Sequence, residues 1–242
     1  MTTVYHGATA GVVLTTGFAT KNPVTIASDG TVSGNTAGYR GAAIYASGYA
    51  WTIANRGTVA ATGSGANGVT LEAGGVVVNG GSHATSALIS GVYTGIATYA
   101  APATITNYGT IVGTGTAFHL GGYISGLGIY LGGGGRITNG ASGSTAATIA
   151  GYTTAISIQN TAATIVNFGT LQNTAFGDTI YLGAGATGST ILNKASGLIT
   201  GRSAIDTTPA TAASGGVAIA NYGTIANTDS TAPDIYLGHG GQ

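Results

Sequence analysis

An asparagine returns along this chain at a nearly fixed interval. Asn55, Asn79, Asn107, Asn139, Asn167, Asn193 and Asn221 follow Ser28 at separations of 27, 24, 28, 32, 28, 26 and 28 residues. Each lies in a short segment of one pattern: TIASDGTV, TIANRGTV, VVVNGGSH, TITNYGTI, RITNGASG, TIVNFGTL, TILNKASG and AIANYGTI. From Asn55 onward the form N-x-G-T alternates with N-x-[GA]-S. A second segment interleaves with the first: GVVLTTG, GVTLEAG, GIYLGGG, TIYLGAG and DIYLGHG, whose leucines are Leu14, Leu71, Leu131, Leu182 and Leu237. Weaker relatives of it stand at 43–46, 95–98, 155–158 and 204–207. The unit is therefore about 27 residues, and eight units with the opening of a ninth fill the 242 residues. A unit this small cannot bury its own apolar face, but stacked units share one continuous core.

Within each unit, short runs of Ile, Val, Thr and Tyr alternate with small residues and are broken by Gly, Asn, Ser and Asp. This is strand-and-turn chemistry, and no helix-period stripe accompanies it. The expected fold class is all-β: a single-domain parallel β-solenoid (β-helix) over residues 1–242, with about nine coils and right-handed winding expected. At ~4.8 Å per layer, nine coils make a rod about 43 Å long. Ile53, Val59, Ile105, Ile111, Ile165, Leu171, Ile191 and Ile219 are the expected inward residues of half-buried strands. The seven asparagines, held in register, would form a structural turn ladder of stacked amides up one corner. Two aromatic columns are also expected. Tyr130, Tyr181 and Tyr236 share one place in the YLG segment, while Tyr108, Phe168 and Tyr222 share the place after the ladder asparagine with Arg56.

Charge is scarce. Asp, Glu, Lys and Arg make up 5% of the chain, against about 25% in ordinary domains. The 43% hydrophobic content and mean hydropathy of +0.34 exclude a disordered chain. Net charge is zero and the basic residues Lys21, Arg40, Arg56, Arg136, Lys194 and Arg202 are scattered, so nucleic acid is not an expected partner. Cysteine is absent, and no run of about 18 apolar residues suggests membrane insertion.

Catalysis on a β-helix requires acids gathered on one face. The carboxylates here are Asp29, Glu72, Asp178, Asp206, Asp229 and Asp234, of which Asp178 and Asp234 occupy two copies of the YLG strand with no third partner. No enzymatic activity, catalytic residue, cofactor or metal site is expected. Calcium-binding repeats of the G-G-x-G-x-D type would need an Asp in every turn. The run GGGG at 132–135 lacks the G-K-[ST] of a phosphate loop. A regular threonine array could order ice, a remote alternative, although Thr104 and Thr106 give one clear T-x-T on a pivot strand.

The I-x-N-x-G-T-I turn with G-I-x-L strands resembles the repeats of bacterial autotransporter passengers and filamentous-haemagglutinin-like adhesins, over essentially the whole chain. The resemblance implies an extracellular or cell-surface bacterial β-helix that serves as stalk, fibre or adhesin, with polysaccharide or other cell-surface components as partners. The 242 residues show neither a signal peptide nor a stretch long enough for a translocating barrel, so the export route of those families does not carry over.

The two ends suggest how such a chain associates. DIYLGHGGQ at 234–242 is a first segment without its second, a C-terminal partial coil. TVYHGA at 3–8, within an N-terminal partial coil over 1–10, aligns with RITNGA at 136–141 as a second segment without its first. Joined head to tail, two copies would complete a coil, and a contact of that kind does not close on itself but generates a fibre. The expected assembly interface is Thr3, Val4, Tyr5 and His6 against Asp234, Ile235, Tyr236, Leu237 and His239. His6 and His239 would approach each other there, which would make assembly sensitive to pH near 6.

Overall fold

The computed structural model describes residues 2–34, 41–116, 118–119, 123–208, 216–229 and 231–237. The chain winds as a parallel β-solenoid whose coils each place one strand in each of three sheets. Sheet 1 is built from Thr3–Tyr5, Val24–Ile26, Trp51–Asn55, Gly75–Asn79, Ala103–Asn107, Gly135–Asn139, Ala163–Asn167, Thr190–Asn193 and Ala218–Asn221. Sheet 2 takes Ala8–Thr9, Thr31–Ser33, Thr58–Ala60, Leu88–Gly91, Thr110–Gly113, Thr148–Gly151, Thr170–Asn173, Leu198–Gly201 and Thr224–Asn227. Sheet 3 takes Val12–Leu14, Ile44–Ala46, Asn67–Leu71, Thr94–Thr98, Leu127–Leu131, Thr154–Ile158, Asp178–Leu182, Ser203–Asp206 and Ile235–Tyr236. Every described pairing within these three sheets is parallel and joins successive coils.

Alternation decides which residues face inward. In sheet 1, Val24, Ile53, Val77, Ile105, Ile137, Ile165 and Ile191 form one column of fully buried side chains that ends at the half-buried Ile219. Sheet 2 contributes Val32, Val59, Ile89, Ile111, Ile149, Leu171 and Ile199, and sheet 3 contributes Ile44, Val69, Ile96, Ile129, Ile156, Ile180 and Ile205. The three columns meet in a single apolar core that runs along the rod. Burying each of these side chains contributes about 1.5–3 kcal/mol.

Excursions sit at the corners, where they leave the stack intact. A 3-10 turn, Thr16–Lys21, links the first coil to the second, and an antiparallel pair, Phe118–His119 with Tyr123–Ile124, extends from the fifth. The four-glycine run at 132–135 turns the chain from sheet 3 to sheet 1. Gly134 and Gly135 have φ of +72° and +125° there, and a Cβ on Gly135 would stand 2.0 Å from the Ala103 carbonyl oxygen. Close coil-to-coil approach explains those glycines.

Two alignments made on the sequence shift. Ile26, not Ser28, stands opposite Asn55, because the second coil's corner is two residues longer than the third's. The first strand slips by one: Tyr5 pairs with Ile26 and so occupies the ladder column, whereas aligning TVYHGA with RITNGA had placed His6 there. The slip turns Val4 outward, and it is 47% exposed.

Candidate functional site

The corner between sheets 1 and 2 is the most regular polar feature of the rod. Asn55, Asn79, Asn107, Asn139, Asn167 and Asn193 are completely buried in one column, and Asn221 ends it at the exposed last coil. Each Nδ2 donates to the Oδ1 of the asparagine one coil on, at 2.8–2.9 Å through all six steps. The same nitrogen reaches across the corner to the first carbonyl of the next sheet 2 strand: Leu88, Thr110, Thr148, Thr170, Leu198 and Thr224 in turn, at 3.0–3.2 Å. Where the corner is short, Oδ1 also accepts the local backbone N–H, as from Gly57, Gly109 and Gly223. A buried amide is tolerable only when its donors and acceptor are satisfied, and stacking satisfies them here.

The alternation of N-x-G-T with N-x-[GA]-S now has a structural meaning. Corners after Asn55, Asn107, Asn167 and Asn221 are tight, whereas those after Asn79 and Asn139 loop outward through Gly81–Ala84 and Ala141–Ser144 bridges before sheet 2 resumes. A loop leaves the stack at the corner and returns in register, so unequal unit lengths do not break the ladder.

Counted from sheet 1, the described chain makes nine whole coils; the half-units at its ends follow from counting from the leucine strand instead. Each end therefore presents one strand of every sheet. At the head these are Thr3–Tyr5, Ala8–Thr9 and Val12–Leu14; at the tail they are Ala218–Asn221, Thr224–Asn227 and Ile235–Tyr236. Among the described residues, no other strand pairs with these outer edges. The tail leaves Ile219, Ile225 and Ile235 half-buried and Tyr222, Tyr236 and Leu237 exposed.

The expected interface residues thus divide between the two ends, with Thr3, Val4, Tyr5 and His6 at the head and Asp234, Ile235, Tyr236 and Leu237 at the tail. His239 lies outside the described residues. His6 stands at the sheet 1–sheet 2 corner, with Nδ1 2.9 Å from Asp29 Oδ1.

The aromatic columns are real rows with gaps. Tyr45, Tyr130, Tyr181 and Tyr236 share one outward column of sheet 3 with Thr70, Ala97, Ser157 and Asp206 between them. Tyr130 packs on Tyr99 at 5.6 Å between ring centroids. At the ladder corner the Lys194 ammonium lies 5.9 Å from the centroid of the Phe168 ring.

One polar cluster escaped the sequence reading. A shallow cleft of about 270 Å3 near the tail is lined by Asp178, Arg202, Ser203, Asp229, Thr231 and Tyr236. Arg202 Nε donates to Asp229 Oδ2 at 3.0 Å, and the Thr231 hydroxyl and N–H donate to Asp229 Oδ1 at 2.6 and 3.0 Å. These Thr231 bonds, with Arg202, hold the Asp229 carboxyl down at about 2. Burial pushes the Asp178 carboxyl up, with the charge of Asp206 adding to the effect and that of Arg202 opposing it. Asp234 does not join Asp178 in a column. Ile235 pairs with Ile205, so Asp178, opposite Ser203, falls in line with Pro233, and Asp234 instead accepts the Asn227 N–H at 2.8 Å. Among the described residues, no three His, Asp or Glu side chains converge as a metal-ion site.

These features define a parallel β-solenoid repeat protein. No protein-family model, curated protein or solved structure matches the chain.

Proposed function

We propose that this protein is a structural subunit that assembles head to tail with copies of itself into a filament, at a bacterial cell surface or outside the cell as its resemblance implies. The observation that carries this reading is the pair of end coils, whose outer strand edges pair with no other strand among the described residues, together with a tail where Ile219, Ile225 and Ile235 are only half-buried. Unpaired edges of this kind recruit another strand unless they are covered or charged. Stacking one tail on one head covers both edges, and completing the burial of Ile219, Ile225 and Ile235 adds about 1 kcal/mol each.

Electron microscopy of the purified chain over a range of concentrations tests the proposal. Filaments one rod wide that lengthen with concentration, with a repeat of ~4.8 Å along the axis, are the expected result. Monodisperse rods about 43 Å long at every concentration would overturn it.

The outward tyrosines of sheet 3 support a second and compatible reading, adhesion to polysaccharide, since aromatic faces stack on sugar rings. Binding of the assembled or single rods to a glycan array is the expected outcome, and an array without signal removes this reading.

A further inference from the structure

We infer that the junction between copies is a register-matched tenth layer of the same solenoid, with one polarity and one alignment. This inference rests on the filament reading and specifies its contact. Inside the molecule each sheet keeps one register through eight successive steps, so each column can be followed to both ends. Continuing those columns across a junction sets Ile219 on Thr3, Ala220 on Val4 and Asn221 on Tyr5 of the next copy in sheet 1. In sheet 2, Thr224 meets Ala8 and Ile225 meets Thr9. In sheet 3, Ile235 meets Val12 and Tyr236 meets Val13.

The ladder corner supplies the hydrogen bonds for that alignment. The carbonyl at the ladder position accepts, in every step from Ile26 to Asn193, the N–H of the residue one past the ladder position in the next coil: Arg56, Gly80, Tyr108, Gly140, Phe168, Lys194 and Tyr222, at 2.7–2.9 Å. The Asn221 carbonyl stands at the end of this series, and the next such N–H is that of His6 in the neighbouring copy. The Asn221 amide likewise ends the ladder, and the acceptor in the neighbour equivalent to the Thr224 carbonyl bound by Asn193 is the Ala8 carbonyl. Tyr5 fills the position where another asparagine would stand, so the amide ladder stops at each junction while the backbone bonds continue.

Side chains at the corner fit as well. The column that runs Arg56, Gly80, Tyr108, Gly140, Phe168, Lys194, Tyr222 places His6 of the next copy over Tyr222, whose 70% exposure the junction would cover. A tail cannot meet a tail in the same way, because both would present Asn221 donors and the strands would run antiparallel.

Absence of native cysteine makes the register directly readable. Val4 and Ala220 face outward in one column and would be about 4.8 Å apart across a junction but about 38 Å apart within a molecule. The first spacing permits a disulfide and the second forbids one. The double variant V4C/A220C, polymerised in reductant and then oxidised, is expected to run as a ladder of covalent multimers on a non-reducing gel. V4C/A218C, which would be bridged only after a two-residue slip, is expected to remain monomeric. Imaging before oxidation separates the two levels of failure. Filaments that do not cross-link through V4C/A220C, or that cross-link equally well through V4C/A218C, overturn the register and leave the filament standing. Folded rods that never polymerise, in these variants and in the unaltered chain, overturn both.

Discussion

Replacing Asn107 with alanine cuts the amide ladder at its middle. Its Oδ1 accepts from Asn79 Nδ2 at 2.8 Å, and its Nδ2 donates to Asn139 Oδ1 at 2.8 Å and to the Thr148 carbonyl at 3.0 Å. Alanine leaves the Oδ1 of Asn139 in a fully buried corner without its donor, while Asn79 Nδ2 keeps the Thr110 and Ala87 carbonyls at 3.0 and 3.3 Å. A buried polar group so orphaned costs about 1–3 kcal/mol, which is the loss expected for Asn107→Ala. Asn221→Ala removes the same side chain at the exposed end and is expected to cost under about 1 kcal/mol. The isosteric Asn107→Asp sharpens the test: its ionised carboxylate would face Asn139 Oδ1 and the Thr148 carbonyl, acceptor against acceptor, and its folded-state pKa would rise above the unfolded value. The variant's deficit should therefore shrink as pH falls, when the protonated acid regains a donor. Guanidinium unfolding measures the three losses. Native-state hydrogen exchange should show the fastest new opening in the fourth to sixth coils, since solenoid units couple only to neighbours. A loss below about 0.5 kcal/mol for Asn107→Ala, or equal losses at 107 and 221, would refute the claim that the ladder's hydrogen bonds stabilise the corner.

Gly57→Ala would drive a Cβ to 2.1 Å from the Gly30 carbonyl oxygen and 2.3 Å from that of Ala27. It is expected to lower the melting temperature more than Gly65→Ala, where φ is +74° but the space is open, and the two melts compared by circular dichroism check this. Asp229, held at about 2 against an ordinary 3.8, contributes stability that is full above about 4 and is lost as pH falls toward 2. Thr231→Val should flatten that part of the stability–pH curve in urea titrations run between pH 2 and 5. Ile129→Ala in a fully buried column should cost about 2–5 kcal/mol, whereas Ile219→Ala at the open tail should cost well under half as much in the unpolymerised rod, measured by guanidinium unfolding.

The period, the all-β class and the buried strand residues were legible because stacking imposes one rule on every coil. Ile53, Ile105, Ile165 and Ile191 could be assigned inward from alternation alone, and Asn55 to Asn221 could be placed in one column from spacing alone. What misled was local. In the second coil the corner is longer, so the resemblance of TIASDGTV to TIANRGTV hid a two-residue shift, and Ser28 was aligned where Ile26 stands. The first coil has Tyr in place of Asn, which removed the marker that would have fixed its register. The Arg202–Asp229 pair was missed because its members are read as unrelated in sequence. Their separation of 27 residues is one coil, which was the available signal: in a solenoid, any two residues one period apart on the same column are neighbours.

The placement of charge follows the same one-dimensional logic and bears on assembly. Strands at both ends, Thr3–Tyr5, Ala8–Thr9 and Val12–Leu14 at the head with Ala218–Asn221, Thr224–Asn227 and Ile235–Tyr236 at the tail, contain no Asp, Glu, Lys or Arg. The tail's charge is displaced onto the flank, where Arg202 pairs with Asp229 and Asp234 is held by the Asn227 N–H. At the head, His6 and Asp29 pair across the first corner, again off the strand edge. A stacking contact between such ends desolvates backbone edges that regain their hydrogen bonds, and no charged side chain from either set of end strands has to be buried with them. Burying an unpaired charge there would cost several kcal/mol and cancel the gain from the isoleucine columns.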